Sequence, residues 1–393
     1  MHRTSRPARC LTLTLALALA ATARAADPAP PPTSPVEPAP PPAAAAPATV
    51  LGSYAELNYN RPRRPADAVI DVRRFVLELQ HRFDEDTKAV AELEVEHAVS
   101  SADDPGEVEV EQAYVERQLG TVWSARAGLL LMPVGLLNEN HEPTAYHGVE
   151  RNFVETAIIP TTWREAGLQA TAVLGNGFTV QGGVTTSFDL TKWDATSPEG
   201  QASPLGAVHQ EGALARARDL AGHLAVSWRG VPGLLVGGSA FAGGATQGQP
   251  GYPRATVALW DAHARWTPGR LDLSALYARG TVSSTRRLNT PLVGSPVLIP
   301  AAFDGWYGQA AYRAWSRGEL AVIPFARYER FNTGRSYADL GPGLTPARLP
   351  TQGVLTLGVD LCVAAGVVLK ADVQRFERGR DQDRLDLGVG WSL

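Results

Sequence analysis

A period of two in the placement of apolar residues is the feature of this sequence that most constrains its fold. The period recurs from residue 51 onward in segments of about 10–13 residues. In the clearest segment, TVALWDAHARW, two sets of residues alternate: Ala258, Trp260, Ala262, Ala264 and Trp266 against Leu259, Asp261, His263 and Arg265. Successive side chains of a β-strand point to opposite faces. The pattern therefore predicts strands with one apolar face and one wet face.

The length of the segments separates two kinds of β-protein. Strands of soluble proteins average about five or six residues, whereas about 9–11 tilted residues are needed to cross the hydrocarbon layer of a membrane. The segments at 88–96 and 385–393 have the longer length, and their apolar faces carry Ala, Leu, Val and Trp. Such faces suit a surface that contacts lipid.

The gaps between segments alternate between short and long. Short gaps are predicted as turns at Asp84–Thr87, Gly120-Thr121, Gly175–Gly177, Gly230–Gly233, Thr267–Gly269, Ser316–Gly318 and Ala364–Gly366. Longer connections lie between them, notably at 133–163, 189–219, 282–303 and 332–351. An up-and-down barrel in an outer membrane predicts this alternation, with brief turns on one rim and long loops on the other.

Sixteen such segments predict the fold class. We expect an all-β chain whose residues 51–393 form a transmembrane up-and-down antiparallel β-barrel of about 16 strands. An even number of strands brings both ends of the barrel to the same rim. Closure removes the sheet edges, whose unpaired polar backbone a membrane does not tolerate.

The N-terminal residues have the features of an export signal. Arg3, Arg6 and Arg9 precede an apolar run at 11–21 that is too short to span a bilayer, and Ala-Arg-Ala at 23–25 offers a cleavage point. We assign residues 1–25 to a cleaved signal peptide. Its removal takes away four arginines and no acidic residue, so the formal net charge changes from −4 to −8. Residues 26–50, rich in Pro and Ala, are predicted to be a disordered periplasmic linker.

Composition disfavours several other classes of protein. No run of about 20 apolar residues follows residue 25, so no membrane-spanning helix is expected. Cys362 is the one cysteine after the signal peptide, which excludes an internal disulfide. Long segments rich in Ala, Glu, Lys and Leu are absent, which disfavours a helical bundle. No basic patch is interleaved with aromatic residues, so nucleic acid is not an expected partner.

The connection at 132–167, MPVGLLNENHEPTAYHGVERNFVETAIIPTTWREAG, has the most distinctive sequence in the chain. It resembles the porin family that includes the phosphate-selective porins O and P. The resemblance is densest in four stretches: Pro133-Val134-Gly135, Asn138 through Glu142, Gly148-Val149-Glu150-Arg151-Asn152 and Ile159 through Gly167. These four stretches cover about a tenth of the chain, and elsewhere the resemblance to the family rests on strand spacing.

The resemblance implies a sixteen-stranded, trimeric pore that is constricted by this third long loop folding inward. The resemblance does not imply that this chain is selective for phosphate. Those relatives resemble one another in their basic lumens, whereas residues 133–163 contain four glutamates and Arg151 as the one cation, a formal charge of −3. Because the field inside a narrow throat acts on passing ions, we hypothesise a weak preference for cations.

Two sets of residues are candidates for the pore. The polar and charged residues of the constriction loop are Glu139, His141, Glu142, His147, Glu150, Arg151 and Glu155. The alternation of the strands assigns a second, pore-lining set: Glu78, Arg82, Glu92, Glu94, Glu96, Arg126, Asp261, His263, Arg265, Lys370 and Asp372. Any one of these residues could instead be solvated without a role in selectivity.

Metal-binding and enzymatic interpretations have weaker support. His141, Glu142, His147 and Glu150 could converge on zinc or iron, but their spacing matches no helical zinc motif and Pro143 breaks any helix. A serine–histidine hydrolase would need a nucleophile motif, and the sequence contains none. We assign no metal, no cofactor and no catalytic residue.

The sequence thus predicts a porin of the bacterial outer membrane. We expect passive diffusion of small hydrophilic solutes or ions through a water-filled lumen, with outer-membrane lipids and two further copies of the chain as partners. The alternative is a non-transporting surface barrel whose long loops bind a partner. A soluble exported β-protein is a third possibility.

Overall fold

The computed structural model describes residues 48–101, 103 and 106–393. The predicted signal peptide and residues 26–47 of the predicted linker lie outside the described residues. The first strand begins at Thr49, two residues before the expected boundary at 51. Thr49 and Val50 pair with His81 and Gln80 and so belong to the sheet.

Within the described residues, seventeen strands belong to one antiparallel sheet. The first nine are β1 (Thr49–Pro62), β2 (Val69–Arg82), β3 (Thr87–Glu96), β4 (Val108–Gln118), β5 (Trp123–Leu131), β6 (Arg164–Val173), β7 (Phe178–Thr185), β8 (Ala221–Val231) and β9 (Leu234–Gly244). The others are β10 (Thr256–Trp266), β11 (Leu271–Val282), β12 (Ala302–Tyr312), β13 (Trp315–Arg317), β14 (Leu320–Ser336), β15 (Gln352–Ala364), β16 (Val367–Phe376) and β17 (Arg384–Ser392).

The sheet closes on itself. Strand β1 pairs with β2 along one edge and with β17 along the other. The three-residue strand β13 pairs with β14 near the rim, and β12 pairs directly with β14. Sixteen strands therefore form the wall. The predicted all-β, up-and-down antiparallel barrel of about 16 strands is confirmed.

The two rims differ as the alternating gaps predict. Turns such as 83–86, 232–233 and 365–366 connect strands at one rim, which we call the short-turn rim. At the other, the long-loop rim, connections include 97–107, 132–163, 186–220, 283–301 and 337–351.

The helices are short and lie outside the strands. They are α1 (Glu199–Ala202), α2 (Thr285–Asn289), a π-helical turn (Val154–Ile158) and 3-10 turns at Pro65–Asp67, Leu190–Lys192, Gly206–Val208, Thr290–Leu292 and Arg380–Gln382. In the described part of the chain, no helix has the length and apolar character needed to cross a membrane.

The side chains of the wall alternate between its two surfaces. In β10, Trp260 and Trp266 are 44% and 46% exposed, whereas Asp261, which points to the opposite surface of the wall, is 3% exposed. The same alternation leaves large apolar side chains exposed on the outer surface all around the barrel: Leu77, Leu168, Leu224, Val236, Trp306, Leu357 and Leu387. The outer surface is therefore apolar in a belt that crosses every part of the wall.

The interior is dry at its long-loop end beside β5 to β12. Apolar side chains from β5 to β12 pack with the long loops into one core at the long-loop end. The ring of Trp163 lies 5.0 Å from that of Phe188 and 4.6 Å from that of Phe241, and all three side chains are buried. At the short-turn end of these strands the core gives way to a cavity of about 760 Å³, which residues of β7 to β10 line.

Gly128 of β5 lies close to the backbone of β4. Its φ of +143° is one that L side chains rarely adopt, and a Cβ there would lie 2.2 Å from the carbonyl oxygen of Ala113. Gly308 in β12 has nothing within 4 Å of the corresponding position. Gly128 therefore offers a test of this contact, and Gly308 offers a control for the same substitution.

We expect Gly128→Ala to lower the free energy of unfolding by about 2 kcal/mol or more, because the added methyl group combines an overpacked contact with a strained backbone. Gly308→Ala should change it by less than about 0.5 kcal/mol. Urea titration followed by tryptophan fluorescence measures both. Equal stability of the two variants would contradict the tight β4–β5 contact.

Candidate functional site in the barrel lumen

The connection at 132–163 leaves the wall after β5 and returns to it at β6, and we call it the inner loop. It folds into the barrel, because its residues contact inward-facing side chains of β1, β2, β10, β11 and β14 to β16. The predicted inward position of the third long loop is thus confirmed.

Asn138 joins the two ends of the inner loop. Its Nδ2 donates to the carbonyl oxygens of Met132 and Trp163, both at 2.8 Å, and its Oδ1 accepts from the Trp163 backbone N–H at 2.7 Å. One buried amide side chain therefore pairs with three backbone groups at the two ends of the loop and holds those ends together.

Glu155 organises the centre of the inner loop. Its Oε1 accepts from the backbone N–H groups of Leu136 and Leu137 at 2.6 and 2.8 Å. Its Oε2 accepts from Asn152 Nδ2 at 2.8 Å and from the Tyr307 hydroxyl of β12 at 2.9 Å. Four donors thus hold this carboxylate in place, so its role is to shape the loop.

The first wall contact of the inner loop is with β1 and β2. Glu56 accepts from the Tyr146 hydroxyl at 2.6 Å and from Arg74 Nε at 2.7 Å, and Arg74 Nη2 donates to the carbonyl oxygen of His141 at 2.6 Å. These groups are buried, where charge-assisted hydrogen bonds are strong. Burial lowers the pKa of His141, although the Glu111 carboxylate opposes this shift.

The second wall contact is with β11, β15 and β16. His147 Nδ1 lies 2.5 Å from Asp360 Oδ2, and its Nε2 lies 3.3 Å from Asp272 Oδ2. Beside it, the backbone N–H of Val149 donates to Asp372 at 2.7 Å and Lys370 Nζ donates to the carbonyl oxygen of Tyr146 at 3.0 Å. Through Arg74 of β2 and Asp272 of β11 the loop spans the lumen.

A third contact comes from β14. Arg327 donates through Nη1 to the carbonyl oxygen of His147 at 3.1 Å and through Nη2 to that of Glu150 at 3.2 Å. Glu329 accepts from the Phe153 backbone N–H at 2.6 Å. Backbone groups of the loop are thus paired with wall side chains rather than with other backbone.

Cavities lie on both sides of the inner loop. A cavity of about 410 Å³ on the long-loop side is lined by four arginines and three glutamates: Arg73, Arg74, Arg151, Arg384, Glu56, Glu96 and Glu150. On the short-turn side, cavities of about 760 and 340 Å³ include Glu139, His263 and Arg265 in the first and His147 and Asp360 in the second. Tyr146 lines both the 410 and the 340 Å³ cavities, so it stands between the two sides.

The structure places the predicted loop residues in different surroundings. Glu139 accepts from Gln181 of β7 at 3.2 Å, and Glu150 accepts from Asn60 of β1 at 2.9 Å. Arg151 donates to the Thr162 hydroxyl at 3.0 Å, and Glu142 is partly exposed. His141 and His147 contact separate walls, so the metal set of His141, Glu142, His147 and Glu150 weighed from the sequence is not brought together by these contacts.

The predicted pore-lining residues occupy the inward-facing positions of their strands. Glu78 lies opposite Glu92, and Arg126 pairs with Glu116 at 3.0 Å. Buried inward positions hold Glu92, Glu94, Asp261, Lys370 and Asp372, and half-buried ones hold Glu96, His263 and Arg265. Arg82 is exposed at the short-turn end of β2. Their part in selectivity stays a prediction.

Sequence reasoning missed several residues that contact the inner loop. In β1, Tyr54, Glu56, Asn58 and Asn60 share the inward face, and the alternation in SYAELNYN could have identified them. Arg74 and Glu111 were harder to place. A bulge near each residue shifts the register of the neighbouring strand, so strict alternation fails locally.

Comparison with known proteins supports the fold. No family model matches the chain. An uncharacterized protein of Aquifex aeolicus is 28% identical over 362 residues, covering 87% of this chain and 79% of that protein. OmpF of Salmonella typhi, solved with daunomycin, has a TM-score of 0.60 at 12% identity and covers 88% of this chain and 97% of its own.

Two other solved structures have the same architecture. The outer membrane channel DcaP of Acinetobacter baumannii has a TM-score of 0.55 at 12% identity, covering 88% of this chain and 97% of its own. OmpT of Vibrio cholerae in its trimer form has a TM-score of 0.51 at 11% identity, covering 88% and 98%. At such identities the likeness is one of fold.

The His147 contact generates a pH prediction. Burial opposes the charged ring, but the carboxylates of Asp272 and Asp360 outweigh burial and raise the pKa of His147 above 6.5. A raised pKa in the folded state stabilises the fold fully below about pH 6.5. The stabilisation is lost as pH rises through the raised pKa.

We therefore expect the wild-type free energy of unfolding to include a component that declines as pH rises above about 6.5, and His147→Gln to lack that component. Urea titrations of both proteins from about pH 5 to about pH 9 measure the difference. A wild type and a variant with parallel pH profiles would contradict the contact.

Proposed function

We propose that this protein is a porin of the bacterial outer membrane that lets small hydrophilic solutes or ions diffuse through its lumen. One observation carries the proposal: a closed barrel with an apolar outer belt encloses charged cavities on both sides of an inward-folded loop. Such a barrel satisfies its backbone internally, which a membrane requires. The charged cavities offer water and solutes a path.

The position in the outer membrane follows from three features taken together. The outer belt is apolar, residues 1–25 read as a cleaved export signal, and the rims carry short turns on one side and long loops on the other. We propose that the short turns face the periplasm, as in outer-membrane barrels generally. Residues 26–50 would then provide a periplasmic lead-in.

The inner loop is the proposed constriction. Its contacts with β2, β10 and β14 fix it across the lumen, and Tyr146, His147 and Arg151 lie beside the remaining cavities. A buried polar network of this kind holds one loop position. Passage of solutes is therefore limited by side chains with fixed places.

The charges of the wall favour cations. On their inward faces, β3 and β4 together carry Glu92, Glu94, Glu96, Glu109, Glu111 and Glu116, against Lys88 as the one cation. The arginines of the long-loop cavity offset part of this charge. We keep the proposal of weak cation preference, and the resemblance to phosphate-selective porins does not extend to a basic lumen.

A trimer is the proposed assembly. The support is the sequence resemblance and the fold shared with OmpT, which has been solved in a trimer form. Outer-membrane lipids would cover the wall that is not in contact with neighbouring copies.

One observation favours a second candidate, a surface barrel that binds a partner and does not conduct. The dry core under the long loops fills the long-loop end of the interior beside β5 to β12, and Phe188, Phe241 and Phe303 are buried in it. Conductance in a planar bilayer separates the two. Stepwise ionic current supports the porin, and folded protein that inserts without current supports the surface barrel.

Selectivity is tested with a matched pair of charge removals. Glu150 lines the long-loop cavity, whereas Glu199 in α1 is exposed on a long loop away from it. We expect Glu150→Gln to lower the cation-to-anion permeability ratio on the order of two-fold, since a screened charge at a wet wall acts with less than about 1 kcal/mol. Glu199→Gln should leave the ratio unchanged. The reversal potential in a salt gradient measures it, and a wild type that prefers anions would overturn the cation proposal.

Insertion in the membrane is tested with two outward leucines. Leu357 lies in the middle of β15 and Leu271 at the short-turn end of β11. In phospholipid vesicles, Leu357→Arg should lower the free energy of unfolding by about 2–4 kcal/mol and Leu271→Arg by about 0–1 kcal/mol, because the cost of arginine depends on depth. Equal costs would mean that β15 does not cross a hydrocarbon layer.

A further inference from the structure

Three side chains meet where the inner loop touches β3 and β4, and the function proposed above uses the two acidic ones only as charges of the wall. Glu92 of β3, Glu111 of β4 and His141 of the loop are 8%, 0% and 4% exposed. One ligand atom from each can be chosen so that all three lie within 4.8 Å of one another. The cluster combines two carboxylates with one imidazole from a different segment of the chain.

The protons available in this cluster are too few for its acceptors. His141 Nδ1 lies 2.9 Å from the carbonyl oxygen of Asn138, which can only accept, so Nδ1 carries a proton. In the neutral ring Nε2 then presents a lone pair, and it lies 2.8 Å from the Tyr54 hydroxyl and 3.4 Å from Glu111 Oε1. The Tyr54 hydroxyl also donates to Glu111 Oε2 at 2.7 Å, and its single proton serves one of the two acceptors.

Two carboxylate oxygens point into the same space without a donor. Among the described residues, Glu92 Oε2 and Glu111 Oε1 are buried atoms that have no hydrogen-bond partner. Glu94, on the same inward face of β3, is a third carboxylate that is 2% exposed. Arg74 of β2 is engaged by Glu56 and by the His141 carbonyl group. Unpaired buried carboxylates are costly unless a proton or a cation joins them.

We propose that His141 Nε2 and carboxylate oxygens of Glu92 and Glu111 bind one divalent transition-metal ion, with Zn²⁺ as the best-fitting class. Imidazole and carboxylate together suit zinc, whereas Mg²⁺ and Ca²⁺ take oxygen ligands. The hydrogen bond from Nδ1 to a backbone carbonyl is the outer-sphere contact that metal-binding histidines make, since it orients the ring and directs Nε2 at the ion.

Such an ion would fasten the inner loop to the acidic wall. The loop contributes His141, and β3 and β4 contribute the carboxylates, so the metal joins segments that are otherwise linked there through Tyr54 and Arg74. The proposal does not depend on conduction. Metal binding to the folded barrel and ionic current through it are measured separately, so either can fail without the other.

The test measures zinc bound to the full chain. The protein is refolded in detergent with ZnCl₂ present, because the ligands are buried, and excess metal is removed by dialysis against buffer. Folding is verified by the electrophoretic shift between heated and unheated samples, and bound zinc is measured by mass spectrometry of the metal. We expect one Zn²⁺ per chain, and the same procedure with MgCl₂ or CaCl₂ should leave no bound ion.

Matched variants locate the ion. Glu111→Gln and His141→Gln should each weaken zinc binding by more than about 100-fold, since loss of even an outer-sphere partner costs about 10–100-fold. Glu116→Gln in the same strand and His147→Gln in the same loop should retain it. A folded wild type that binds no zinc would overturn the proposal, whether or not the variants fold. Zinc retained by Glu111→Gln and His141→Gln would overturn it too, because the ion would then lie elsewhere.

Discussion

Hydrogen bonding between the first and last strands is the constraint on which the rest of this structure depends. Residues from Tyr54 to Pro62 pair in continuous register with Ser392 to Arg384, and this pairing turns an open sheet into a cylinder. Closure satisfies the backbone groups of both edge strands. It also gives each strand one outward and one inward face, so the same alternation yields an apolar belt outside and a separate compartment within.

The compartment is too wide for wall side chains to fill alone, and the inner loop divides it. A loop in that position must find partners for its backbone, and side chains such as Asn138, Glu155 and Arg327 supply them. The long loops and β5 to β12 complete a dry core on one side. The wet part of the lumen consists of cavities on the long-loop and short-turn sides of the inner loop, and charged side chains line part of each.

Much of this could be predicted from the sequence, and the remainder has physical reasons. Strand positions and the difference between rims follow from a period of two and from gap lengths, as β10 illustrates. The inward faces of β3 and β10 follow in the same way. The contact between Glu111 and His141 could not be predicted in this way. The two residues are 30 positions apart in the chain, Glu111 lies at a bulge of β4, and His141 lies on a folded loop. The dry core was also unexpected, since apolar residues on an inward face break the alternation.

The central claim is that neighbouring residues of one strand face water and lipid in turn. Thr179 and Gln181 of β7 line the short-turn cavity, and Val180 between them has the opposite, outward position in the alternation of the strand. With Cys362 replaced by serine, Thr179→Cys and Val180→Cys can each be treated with a charged, membrane-impermeant thiol reagent while single-channel current is recorded. The account predicts a lasting drop in current for Thr179→Cys and none for Val180→Cys. Equal effects on the two, or an effect on Val180→Cys alone, would contradict it.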